Sequence, residues 1–181
     1  MPASKQKKRT APKATRSVPR SASDVDAIVR SHVLALLRGG DAHATFDQAI
    51  ADMPATKRHV APAGQRFTPW QVLEHARIAQ WDILEFSRSA SHVSPDFPAG
   101  YWPKAAPAPA AAAWDETVRA FRADLAALER LVADPSTDLY AAIPHGTGQT
   151  VLREALVAAS HTSYHLGQLV LLRRLLGAWS S

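Results

Sequence analysis

Apolar residues recur at intervals of three and four along most of the chain, the spacing of an amphipathic helix. Four long helices and a shorter one follow from this pattern. The first spans about Ser23 to Arg38, with Val25, Val29, His32 and Leu36 as its stripe and Ile28 and Leu37 beside it. Ser23 is its expected cap, and Gly39-Gly40 stop it. A short helix follows from about His43 to Met53 and ends at Pro54. The second long helix has the clearest start in the chain. Thr68 caps it, Pro69 takes its first position and Gln71 closes a capping box. It runs to about Ser89, with Val72, His75, Ala76, Ala79, Ile83 and Phe86 on one face. The third spans about Ala113 to Ala133, with Val118, Phe121, Leu125, Leu128 and Leu131 facing inward. The fourth begins at Thr150 and runs to about Leu176, with Ala158, His161, His165, Leu169 and Leu172 in one stripe.

Residues 54–67, 90–112 and 134–149 are rich in Pro, Gly, Ser and Ala and read as connections. The middle one, with Tyr101-Trp102-Pro103, is long enough to cross the molecule. No segment alternates as a strand does. The expected fold is all-α, a four-helix bundle with long crossover connections.

Charge divides the chain in two. The net charge is +5, but seven of the 21 basic residues fall in the first 20 positions, which hold no acid. The remainder has 14 basic against 16 acidic residues, a balance of −2. Residues 1–22 therefore read as a disordered basic tail and residues 23–181 as one domain. Composition favours a solvated tail over a nucleic-acid arm, an acidic-membrane contact or an organellar transit peptide. Any nucleic-acid contact is expected to be weak and confined to the tail. The most apolar run, Leu166 to Leu176, is broken by Gln168, Arg173 and Arg174, so no membrane span is expected. With no secretory signal, the expected location is cytoplasmic. The chain has no cysteine, which excludes disulfides, thiolate ligands and a cysteine nucleophile.

Against this background His161 and His165 stand out. Four residues apart on a helix, they share one face and can bind one metal ion. With eight histidines in the chain the spacing alone carries little weight. Position adds more, because both lie mid-helix on an apolar stripe, where an imidazole needs a partner. His75 repeats that situation on another helix and is the best candidate for a third ligand. The alternative is three core histidines, each satisfied separately. The pair is not a metalloprotease motif, since Thr162 follows His161 where a glutamate base is required.

Several stretches together resemble the DinB-like (DinB/YfiT) superfamily. They are Leu36-Leu37-Arg38-Gly39-Gly40-Asp41-Ala42-His43, Pro69 to His75 with Asp82, Tyr101-Trp102-Pro103, and His161 to Trp179. The resemblance covers about residues 24–179. It implies a four-helix bundle with a divalent metal held by three histidines, one from the second long helix and two from the fourth. Those positions are His75, His161 and His165 here. It also implies a homodimer as the common assembly. Some relatives are transferases or isomerases that use a low-molecular-weight thiol, and the family name does not imply DNA binding.

Three neutral imidazoles leave coordination positions open for water or a small-molecule substrate, and suit zinc, nickel or iron. The expectation is a metal-dependent transferase in which an exogenous low-molecular-weight thiol attacks an electrophile. The alternative is a non-catalytic metal-binding stress or interaction protein. No residue is singled out as catalytic. Glu154 reads as a partner for its helix N-terminus ahead of a role toward substrate or metal, and Asp82 as a buried ion pair with a basic side chain such as Arg173 or Arg174 ahead of a catalytic role. His32 is expected to line the site, and His43 to be structural or pocket-lining. His59, His92 and His145 are expected in solvated loops, and Trp70, Trp81 and Trp114 in packing.

Overall fold

The computed structural model describes residues 21–104 and 111–179. The tail expected over residues 1–22 lies outside the described residues except for its last two positions. The described residues form five α-helices: α1 (Ala22–Arg38), α2 (Phe46–Ile50), α3 (Pro69–Arg88), α4 (Ala113–Ala133) and α5 (Val151–Leu175). Among the described residues the one β-type pairing is an isolated bridge between Ala142 and Thr150. The four long helices pack in a ring, with α1 against α4 and α5 and α3 against the same two. No helix among the described residues is long and apolar enough to cross a membrane.

Capping chemistry explains where the helices begin. The Thr68 hydroxyl accepts from the Gln71 amide at 3.1 Å, and the Gln71 side chain accepts from the Thr68 amide at 3.0 Å. Pro69 follows at the first position, where its missing N–H costs nothing. Thr150 caps α5 through the Arg153 amide. Two starts differ from expectation. Helix α1 is capped by Ser21, not Ser23. Helix α2 begins at Phe46, not His43, because Thr45 and Gln48 form a full capping box there.

The buried face of α1 also differs. Val33 and Leu37 are buried, whereas Val25, Ile28 and Leu36 are exposed. His32 is exposed as well. The helix is turned by about one residue because Arg30 reaches the end of α4. Its guanidinium donates to the carbonyls of Val132, Asp134 and Thr137 at 2.6, 2.9 and 2.7 Å. That anchor outweighs the apolar stripe.

The core has two main parts that meet along α3 and α5. One gathers Phe46, Leu73, Trp114, Phe121, Leu166 and Leu169, with Phe46 and Phe121 stacked at 4.1 Å. The other gathers Val33, Leu37, Leu84, Leu128, Val132 and Ala155. On α5, His161 and His165 sit between the two. Arg173, 3 % exposed, does not pair with Asp82 as expected. It donates to the carbonyls of Gln48, Ala49, Ala51 and Ala178. Three of these are the groups that a helix C-terminus leaves without partners, so Arg173 caps α2 from the side.

Candidate metal centre

Helix periodicity puts His75 on the inner face of α3 and His161 and His165 on the facing side of α5. The structure brings these three together. Their ligand nitrogens all lie within 4.8 Å of one another, and among the described residues no carboxylate joins them. His75 and His165 are buried and His161 is half-buried.

The nitrogen at each position follows from the hydrogen bonds. His75 Nδ1 lies 2.8 Å from the backbone carbonyl of Tyr101. A carbonyl can only accept, so the His75 proton is on Nδ1 and Nε2 presents a lone pair. Nε2 of His165 is 3.1 Å from that lone pair. Either His165 donates a proton into the gap or a cation occupies it. Two Zn–N bonds of about 2.0–2.1 Å place their nitrogens roughly 3 Å apart at coordination angles near 95–100°, so the separation suits a shared ion. On its far side His165 Nδ1 meets the Gln168 side chain at 3.0 Å, and that amide can turn to accept or donate. The residues present therefore fit a divalent metal.

Electrostatics point the same way. Burial, and then the neighbouring imidazoles, push His161 down to about 4. Burial and His75 push His165 to about 4, against a weaker opposing effect of Gln168. His75 is also lowered by burial, against the Tyr101 carbonyl. All three are neutral at pH 7, the state in which an imidazole is a ligand.

Aromatic rings close one side. Trp102 lies flat on His75 at 3.9 Å, Phe67 lies on Trp102 at 3.9 Å, and the Arg66 guanidinium stands 5.0 Å over Phe67. The other side is open. An apolar cleft of about 680 Å³ runs along the outer face of α5 and is lined by Leu152, Leu156, Val157, Tyr164 and His161. His161 thus belongs to both the cluster and the cleft.

The other expected residues fall elsewhere. His32 is exposed on α1 and lines nothing in the site. His43 is held by Ser163 and the Ala44 carbonyl. Glu154 is buried, pairs with Arg153 and is not part of the cluster. Asp82 accepts from His92 Nε2 at 2.7 Å and from the Tyr101 hydroxyl at 2.5 Å. His92 is therefore not solvated; its side chain is 8 % exposed. His145 is exposed, although its Nε2 meets the Phe86 carbonyl, and His59 packs against Trp70. Residues 89–104 run back along α3, from His92 at Asp82 to Trp102 at His75, and the remainder of the expected crossing, 105–110, lies outside the described residues. Sequence reasoning missed Trp102, Gln168 and the Tyr101 carbonyl as neighbours of the histidines. Gln168 had a local signal, three residues after His165 on one helix face, and Tyr101 and Trp102 fall in a stretch that carries the resemblance without being tied to the histidines.

A family model for the DinB superfamily matches residues 40–169. The chain belongs to the DinB superfamily. The matched DinB segment contains all three histidines and leaves the whole of α1 outside. Comparison with curated proteins and with solved structures returns no match.

Proposed function

We propose that His75, His161 and His165 hold a divalent metal ion and that the protein is a transferase acting with a low-molecular-weight thiol. The supporting observation is the shared cluster, in which one imidazole is forced to aim a lone pair at another. Bound there, the metal would supply a Lewis acid that lowers the pKa of a thiol or water. Three imidazoles suit zinc, nickel or iron. His75 and His165 orient the ion from the buried side. His161 borders the open cleft, whose apolar side chains suit contact with the body of a small-molecule substrate. The thiol comes from outside, since the chain has no cysteine. A non-catalytic metal-binding role would suit a sealed site, so the cleft favours the catalytic reading.

A homodimer is part of this reading. Among the described residues, five large apolar residues that stand exposed on α1 and α5 lie outside the cleft: Val25, Ile28 and Leu36 on one, Leu171 and Leu175 on the other. The two helices are packed neighbours, and exposed apolar residues concentrated in this way mark an association surface.

Elemental analysis of freshly purified protein tests the metal. The expected result is about one metal per chain in the wild type and at least a tenfold loss in His75→Ala. Wild-type protein without stoichiometric metal, and unable to take up zinc, would sink the proposal. Loss of thiol in the presence of an alkyl halide, with halide released, tests the transfer. The metal-free protein should be inactive, and equal rates with and without metal would end the enzymatic reading while leaving the site intact.

A further inference from the structure

His75 and Asp82 lie seven residues apart on α3, a rise of about 10.5 Å, so Asp82 cannot reach an ion at the cluster itself. One residue joins them. The Tyr101 hydroxyl donates to Asp82 Oδ2 at 2.5 Å, and the carbonyl of the same residue accepts from His75 Nδ1 at 2.8 Å. Tyr101 therefore lies along α3 like a strut, bonded at both ends. The segment that carries it is pinned twice to one carboxylate, because His92, near its start, donates to Asp82 Oδ1 at 2.7 Å. The His92 ring is in turn packed edge-on against Trp81 at 5.0 Å. Burial and the Asp82 carboxylate push the Tyr101 hydroxyl up to about 12, which keeps its donor proton in place at any ordinary pH. Trp102, the next residue, lies flat on the His75 ring.

We infer that Tyr101, held by Asp82, is a positioning residue that sets the tautomer and ring orientation of His75. The inference rests on the proposed metal site, because its purpose is to keep one ligand nitrogen bare. A backbone carbonyl orients an imidazole only as well as its own segment is held. Residues 89–104 contain one 3-10 turn, Ala99–Tyr101, and no other regular structure. Their placement on α3 comes largely from the Asp82 bonds and the Trp102 stack. Removing the Tyr101 hydroxyl frees the strut at its lower end while leaving its carbonyl and ring.

Tyr101→Phe is the test, in wild-type and His75→Ala backgrounds, with Co²⁺ as the probe. Loss of a group that orients a metal-ligating histidine costs about 10–100-fold in metal affinity. Tyr101→Phe should weaken Co²⁺ binding by about that factor and change the visible spectrum of the bound ion. In the His75→Ala background it should have no further effect, because the residue it acts through is gone. Unchanged affinity, or the same loss in both backgrounds, overturns the inference. A second readout needs no metal. Imidazole nitrogen–proton NMR of the metal-free protein should show His75 protonated on Nδ1 in the wild type and divided between Nδ1 and Nε2 in Tyr101→Phe. A His75 proton that stays wholly on Nδ1 in the variant also overturns it. If the wild type binds no cobalt, the metal reading fails, and the NMR comparison still decides whether Tyr101 sets the tautomer.

Discussion

Acid should destabilise the metal-free protein through the same imidazoles that would bind the ion. In the folded chain His161 and His165 titrate at about 4, pushed down first by burial and then by His165 and His75 in the one case and by His75 in the other, against about 6.5 for a free imidazole. Between those values the unfolded chain binds more protons than the folded one. Stability is therefore fully present above about pH 6.5 and is lost as the pH falls toward 4. For His165 alone, linkage gives about 2 kcal/mol lost between pH 7.5 and pH 5, and solvent screening of a ring not wholly shielded reduces this to about 1–2 kcal/mol. His165→Leu deletes that titration. The difference in unfolding free energy between pH 7.5 and pH 5 should shrink by about 1–2 kcal/mol in the variant, or roughly 2–8 °C in Tm for a chain of this size. The assay is urea unfolding with a chelator present, at both pH values, for both proteins. In a parallel series without chelator, free zinc at about 100 times its Kd should stabilise the wild type by about 2.7 kcal/mol at pH 7.5 and leave His165→Leu unmoved. Identical pH dependence in the two proteins would refute the reasoning, because the cluster would then not be a buried set of neutral imidazoles.

Two further outcomes test the scaffold. Arg173→Met leaves the carbonyls of Gln48, Ala49 and Ala51 without their donor, and with unsatisfied buried acceptors at about 1–3 kcal/mol each, some of it recovered by water, it should cost about 4 kcal/mol in urea unfolding; a loss under about 1 kcal/mol would contradict the capping role. Phe121→Ala opens a cavity where the ring is fully buried and stacked on Phe46, and should lower the unfolding free energy by about 3–5 kcal/mol without changing metal content per folded chain, measured by urea titration beside elemental analysis.

Much of the fold is legible in the sequence because helix starts depend on neighbouring residues. Thr68, Pro69 and Gln71 mark the start of α3 through contacts within three positions. The same signature in Thr45 and Gln48 marks the start of α2, and it outranks the apolar pattern that points to His43. The face of α1 is not readable in this way. Val25, Val29, His32 and Leu36 form a respectable stripe, and what overrides it is Arg30 reaching carbonyls more than a hundred positions away. Asp82 fails for a related reason. Charge pairing suggests Arg173, but that guanidinium is committed to the end of α2, and a neutral tyrosine and a histidine fill the place instead.

The candidate site shows the same division. Periodicity can place His75, His161 and His165 on inner faces, since each position follows from its own helix. It cannot place the Tyr101 carbonyl, which belongs to a segment with no period and meets a histidine 26 residues earlier in the chain. Yet that carbonyl decides which nitrogen of His75 faces the other two histidines. A side-chain acceptor such as Gln168 can turn and accommodate either tautomer of its histidine. The carbonyl permits one only, and the lone pair it leaves on His75 Nε2 points at His165 across 3.1 Å. In the metal-free protein that lone pair can be met only by a proton from His165, held in place of one shared with Gln168. An ion in the gap lets both histidines keep their outer protons and both Nε2 atoms act as ligands. On the proposed reading a cation would thus find one ligand nitrogen already bare, and that constraint originates in a loop residue and not in the histidine motif.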